Sequence, residues 1–113
     1  HNLIIIGANE SDMAIAGNRV REIGGGNVVV KNGKIIAEMQ LPIAGLISKS
    51  SAEEAAAQNE KTKNIVHELG VPNNISPFMN MAFVSLSVIP SIKMTTLGLV
   101  DVNSQKLISL FVN

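Results

Sequence analysis

The apolar positions of this chain fall into runs with two spacings, and the spacing changes at its glycines and prolines. Leu3-Ile4-Ile5-Ile6 is an unbroken apolar run closed by Gly7, the pattern of a strand covered on both faces. Asn9 then reads as a helix N-cap, with Glu10 and Asp12 placing negative charge in the first turn. Met13, Ala16, Val20 and Ile23 recur at helical spacing on one face, with Ile15 off that stripe. Gly24-Gly25-Gly26 stops the helix, Gly24 serving as a left-handed C-cap.

Next come two β-type runs, Asn27–Lys31 and Lys34–Met39, separated by Asn32-Gly33. An Asn-Gly pair in that setting predicts a tight hairpin, because both turn positions need positive φ. Leu41–Ile47 is an apolar connection, which predicts a buried loop. Ser51 and Glu54 have the spacing of a capping box, and the helix they start runs to about Leu69. Its inner face carries Ala55, Thr62, Ile65, Val66 and Leu69, and Gly70 and Pro72 end it. After a polar turn, Val71–Ser76, and Pro77-Phe78-Met79, the stretch from Met81 to Ile89 reads as a long strand closed by Pro90. Leu99–Val102 and Leu107–Val112 read as two further strands joined through Asn103-Ser104.

The resulting order is β-α-β-β-α-β-β. It predicts a single α+β domain, a two-layer sandwich with a mixed or antiparallel sheet of five to six strands and two helices on one face. Such a chain, 113 residues long, can bury about two-thirds of its unfolded surface without staples. The first predicted strand starts two residues from the beginning, with no initiator methionine, so the sequence reads as part of a longer protein.

Composition narrows the chemistry more than it shapes the fold. Hydrophobic residues make up 46% and charged residues 16%, against a usual charged share of about 25%. Part of the surface is therefore expected to sit against another domain or subunit. Nine basic and nine acidic residues cancel, and only three aromatics are present, so nucleic acid is not an expected partner. No apolar run approaches the roughly 20 residues that span a bilayer, so no membrane partner is expected either. The absence of cysteine excludes disulfides and thiolate metal sites and fits a cytoplasmic setting.

Candidate catalytic groups are few. Gly7-Ala8-Asn9 sits where phosphate loops occur but lacks their further glycines, and Glu10 and Asp12 would repel an anion. His67 has Lys63 and Asn64 as helical neighbours, which make no metal site, so it reads as a histidine at a helix end. Glu38, Glu68 and Asp101 are carboxylates that folding could pair, yet nothing in the sequence selects them. His1 is the exception. In a longer chain it would lie on a connector held by the strand behind it, within reach of a neighbouring domain's cleft.

Five segments occur together in order: His1–Gly7, the glycine-rich turn leading to Val28–Lys34, Pro42-Ile43-Ala44-Gly45 with Leu46 and Ser48, Pro77-Phe78-Met79 with Val88-Ile89-Pro90, and Lys93-Met94-Thr95 before Gly98–Val102. Taken in register over nearly the whole chain, they resemble the C-terminal domain of microbial adenine deaminases, of the amidohydrolase superfamily. Two positions depart from the pattern: Ser76 stands before Pro77 where an acidic residue is expected, and Thr95-Thr96-Leu97 carries no charge.

The resemblance implies a metal-dependent hydrolase that converts adenine and water to hypoxanthine and ammonia in purine salvage. It implies a catalytic (β/α)₈ barrel upstream, where a divalent metal (manganese, iron or zinc) activates water, and a homo-oligomer is expected from the same likeness. A cation of this kind lowers the pKa of its water towards neutrality. The family's metal ligands and catalytic carboxylates lie in the barrel, so no catalytic, cofactor or metal-binding residue is expected here. This chain would be an accessory domain, inactive alone, with His1 and the Pro42–Gly45 loop as the residues nearest the active-site mouth. The alternative is a small ligand-sensing or oligomerisation module pairing through sheet edges or the apolar loop. A self-contained Ser/Asp hydrolase is the weakest reading.

Overall fold

The computed structural model describes residues 2–111, and these divide into two compact units. The first spans Ile5–Pro77; the second holds the described residues up to Ile4 together with those from Phe78. The chain is α+β, with three helices and five strands among the described residues: α1 (Glu10–Ile23), β1 (Gly26–Lys31), β2 (Lys34–Gln40), α2 (Ala52–Glu68), α3 (Pro77–Ser85), β3 (Ile92–Thr95), β4 (Gly98–Asp101) and β5 (Lys106–Ile108). The strands form two antiparallel sheets, β1-β2 and β3-β4-β5, in place of the expected single sheet of five to six.

In the first unit the local signals act as written. The Asn9 side chain accepts the Asp12 N–H at 2.8 Å, and Gly24 ends α1 at φ 76°. The hairpin turns at Asn32 and Gly33, whose φ values are 52° and 75°, and its register runs from Gly26 opposite Gln40 to Lys31 opposite Lys34. One irregularity, between Val29 and Val30, re-aims the strand end. From Ile36 onward β2 alternates strictly: Ala37, Met39 and the following Leu41 are buried, while Ile36, Glu38 and Gln40 are exposed. Val29, opposite Ala37, is buried as well and completes this apolar face. Ser51 and Glu54 close both bonds of the capping box at the start of α2. Thr62, only 1% exposed, satisfies its hydroxyl by donating to the Gln58 carbonyl at 2.8 Å.

Asp12 does more than place charge at the start of α1. Its carboxylate accepts the Gly33 N–H at 2.7 Å and the Asn32 N–H at 3.0 Å, so the first turn of α1 clips the hairpin turn. Those bonds, that of Gly33 foremost, then that of the Asn9 side chain, hold the Asp12 carboxyl below the ordinary carboxylate range. At the other end of α1, the Gln40 amide donates to the Ile23 carbonyl at 2.7 Å. The helix is thus tied to both ends of the hairpin.

Four expectations need correction. Leu3–Ile6 forms no strand, and no strand among the described residues pairs with it. Instead Ile5 lies against Gly17 of α1, where an added Cβ would come within 2.9 Å of the Ile5 Cδ1. The Met81–Ile89 stretch is not a strand either: it continues α3, and turns follow from Ser87. Pro77 at the first helical position presets φ, and Phe78, Met81, Ala82 and Ser85 form the less exposed helical face. The alternation of Val84, Leu86 and Val88 with serines is incidental to that period. β3 was not expected, and β5 (Lys106–Ile108) takes in only Leu107 and Ile108 of the expected Leu107–Val112 strand, whose last position lies outside the described residues. The β3–β4 hairpin turns through Thr96 and Leu97, where the Thr95 hydroxyl donates to the Gly98 carbonyl at 2.9 Å and accepts the Leu97 N–H at 3.2 Å.

Two outcomes are expected. Gly26→Ala places a Cβ onto the Met39 carbonyl oxygen at a φ of 142°, and is expected to cost roughly 2–4 kcal/mol in denaturant unfolding of the full-length protein. Asp12→Asn is expected to speed amide exchange at Asn32 and Gly33. Because the folded carboxyl is depressed, the wild-type advantage is complete above the ordinary Asp value of about 4 and fades as pH falls through the lower folded value. Exchange rates that stay equal for the two proteins at neutral pH would show the clip to be idle.

Candidate functional site

The feature of this chain that its own fold does not use is the connection after β2. Leu41 is buried, and its N–H donates to the Gly25 carbonyl at 2.9 Å, extending the hairpin ladder by one step. Beyond it the chain makes a second, smaller hairpin. Ile43 and Ile47 pair as an antiparallel bridge, with the Ile43 N–H bonded to the Ile47 carbonyl at 3.3 Å and the Ile47 N–H returning to Ile43 at 3.1 Å. Ala44 and Gly45, at φ 56° and 72°, form the turn, and the Leu46 N–H closes it onto the Ile43 carbonyl at 3.0 Å.

The expectation that this loop is buried is wrong: Ile43 is 45% exposed, Leu46 52% and Ile47 58%. The backbone explains why. A two-residue turn with both ends paired satisfies its own polar groups, so the segment need not be inside to be ordered. Its position is fixed from beneath, because a Cβ on Gly25 would come within 3.0 Å of the Gly45 Cα and of the Leu41 oxygen. The triple glycine read as a cap and turn is therefore also the seat of this knuckle. Sequence reasoning missed that, although an Ala-Gly pair between isoleucine and leucine was the available signal.

Three of the candidate ionisable groups, Glu38, Asp101 and His67, are already engaged. Glu38 receives a side-on, two-point contact from Arg19 of α1, Nε to Oε2 at 2.7 Å and Nη2 to Oε1 at 2.9 Å. Arg19 also reaches Glu22 at 3.2 Å. This hydrogen bonding, more than simple Coulomb attraction, lowers the Glu38 carboxyl and raises the guanidinium. Asp101 is lowered first by the Ser104 hydroxyl, which donates to it at 2.8 Å, and then by the Asn103 and Ser104 N–H groups. It organises the β4–β5 turn. His67 is half-buried, and its Nδ1 lies 2.9 Å from the Val71 carbonyl, closing the end of α2. Glu68 is exposed on α2.

Within the second unit a shallow cleft of about 440 Å³ is lined in part by Ser85, Ser87, Thr95, Gln105 and Lys106. Three of its polar side chains are bonded locally: Ser85 donates to the Ala82 carbonyl, Thr95 to Gly98 and Gln105 to Val102. Among the described residues no group of three or more His, Asp or Glu is placed to hold a metal ion. These residues therefore do not fit the divalent metal that the resemblance implies. Among the described residues no helix is long and apolar enough to cross a membrane. His1 lies outside the described residues.

Comparison with known proteins supplies what the side chains do not. Residues 1–106 match the model of the adenine deaminase C-terminal domain. Adenine deaminase of Kosmotoga olearia is 46% identical over 114 aligned residues, covering 99% of this chain and 19% of that protein. Adenine deaminase of Clostridium botulinum is also 46% identical, covering 99% of this chain and 18% of its own length. Adenine deaminase 2 of Carboxydothermus hydrogenoformans is 45% identical over 92% of this chain. The chain thus spans about a fifth of the length of the relatives it matches. With its sequence segments in register and matched across nearly all its residues, this chain belongs to the adenine deaminase C-terminal domain family.

Proposed function

We propose that this chain is the accessory C-terminal part of an enzyme that hydrolyses adenine to hypoxanthine and ammonia. The observation that carries the reading is a 46% identity to proteins named adenine deaminase, extending over 99% of the chain. All 113 residues serve as one accessory domain of that enzyme. The chemistry belongs to a (β/α)₈ barrel preceding it, which carries the divalent metal ion (manganese, iron or zinc) and the purine site. The setting is cytoplasmic purine salvage, and the enzyme works as a homo-oligomer.

Three properties of the chain support an accessory role. Its depressed carboxylates, Asp12, Glu38 and Asp101, are each fixed by structural hydrogen bonds. Two hydroxyls of the second unit's cleft, those of Ser85 and Thr95, are bonded to nearby backbone carbonyls. Large apolar side chains are exposed in both units, Ile43, Leu46 and Ile47 in one and Met94, Leu97 and Leu107 in the other. Surface of this kind suits contact with another protein part better than catalysis. His1 and the Pro42–Gly45 loop are the residues through which the chain shapes the active-site mouth.

The full-length protein supplied with manganese, iron or zinc is expected to release ammonia from adenine, and the 113-residue chain alone is not. Turnover by the isolated chain would overturn the accessory role. His1→Ala in the full-length enzyme is expected to lower kcat/KM for adenine roughly tenfold or more, as for loss of a positioned polar group near the reacting centre. Kinetics identical to wild type would remove His1 from the site.

A further inference from the structure

Resting on the reading of this chain as the C-terminal part of a longer polypeptide, we propose that the Ile43–Ile47 knuckle is a preformed apolar plug that seats in a recess of the preceding part of the same polypeptide. Three observations lead there. The five residues contain no charged or hydrogen-bonding side chain, and no ionisable residue occurs between Glu38 and Lys49. Connections at a protein surface are ordinarily built from polar turn formers. Here three large aliphatic side chains are each about half exposed.

The knuckle is also rigid before it meets anything. Backbone pairing joins Ile43 to Ile47, Leu41 is bonded to Gly25, and the Gly25–Gly45 approach leaves no room for the turn to settle inward. A contact made by such a tip carries little further ordering cost.

The choice of occupant follows from size and charge. Three half-exposed aliphatic side chains offer on the order of a few hundred Å², well short of the roughly 1,200–2,000 Å² that holds two free proteins together. There is no charge on the tip to steer a separate partner. A covalently attached partner escapes the cost of bringing two molecules together, so a small apolar contact suffices. Four-fifths of the length of the related proteins lies outside the aligned region, which is ample polypeptide to supply the recess.

The test uses the full-length protein and hydroxyl-radical footprinting read by mass spectrometry. Ile43, Leu46 and Ile47 are expected to be oxidised on the order of tenfold more slowly than in the urea-unfolded protein, and to stay protected on dilution to the smallest species. Leu46→Ser with Ile47→Ser is expected to raise the rate of proteolytic cleavage ahead of residue 1 by roughly ten- to a hundredfold, about what burying the exposed halves of two aliphatic side chains contributes. The conservative pair Leu46→Met with Ile47→Leu is expected to restore the wild-type rate. Knuckle side chains that oxidise as fast as in the unfolded protein would overturn the proposal. Protection that disappears on dilution as the mass falls would assign the tip to a second copy and overturn it equally. Footprinting of the wild-type protein decides the matter even if the serine variant does not fold. Protection that persists in a full-length protein unable to turn over adenine would uphold the plug and sink the enzymatic reading instead.

Discussion

The reversal from α1 into β1 brings backbone against backbone with no side chain between, and the first unit is arranged around that contact. Gly26 faces the Met39 carbonyl, and Gly25 faces both the Leu41 oxygen and the Gly45 Cα. A methyl group at either place would meet main chain, which cannot swing aside as a side chain can. The close approach sets where β2 ends and lets Leu41 add one bond to the ladder. From there the strand's alternation places Ala37, Met39 and Leu41 on the buried face, since a slip of one residue would turn them all outward. α1 is then fastened at both ends of the hairpin, by Asp12 at the turn and Gln40 at the open end.

Where a residue acts on its immediate neighbours, the sequence was legible. Asn9 and Gly24 bound α1, Asn32-Gly33 makes the turn, and Ser51 with Glu54 starts α2, because each needs only atoms a few residues away. Reading failed where two local signals competed. The Met81–Ile89 stretch offers alternation, but Pro77 opens a helix first, and Phe78, Met81, Ala82 and Ser85 give it an inner face. Leu3–Ile6 has the composition of a covered strand, yet a strand also needs an edge to pair with, and composition does not reveal whether one is free. The second role of Asp12, twenty residues from its partners, could not be read before the hairpin was placed against the helix. The family, by contrast, was legible from ordered segments alone, and the matching family model spans residues 1–106, which take in all five of them.

Apolar residues account for 46% of the chain, yet the buried apolar side chains among the described residues are few: Val29, Ala37, Met39, Leu41 and Val102. Exposed large apolar side chains occur along much of the described chain, among them three on the knuckle in one unit and Ile92, Met94 and Ile108 on the sheet of the second. In β3-β4-β5, Met94 is opposite Leu99 and Leu99 opposite Ile108, so these side chains share one sheet face. Low charge follows from the same cause: surface destined for contact cannot carry many ions without stranding them away from water. Composition, sheet register and the position of the knuckle therefore describe a single property, a chain whose apolar surface exceeds what its own core consumes.

Ala44 sharpens that argument because it is locally the wrong residue. In the left-handed region an alanine costs about 1–2 kcal/mol relative to its usual conformations, and glycine would sit there freely. Alanine recovers some of this by restricting the unfolded chain, about 0.4–1 kcal/mol, which leaves a deficit. Its methyl group is exposed and fills no space in the first unit's core, so nothing within that unit repays the difference. Strain retained without internal compensation is characteristic of places where a shape is needed for contact with something else. At this turn Ala44 follows Ile43 and adds one exposed methyl group that glycine would lack. The cost of Ala44 and the exposure of its neighbours are thus accounted for together when the knuckle is a contact surface, and by neither the hairpin nor the core when it is not.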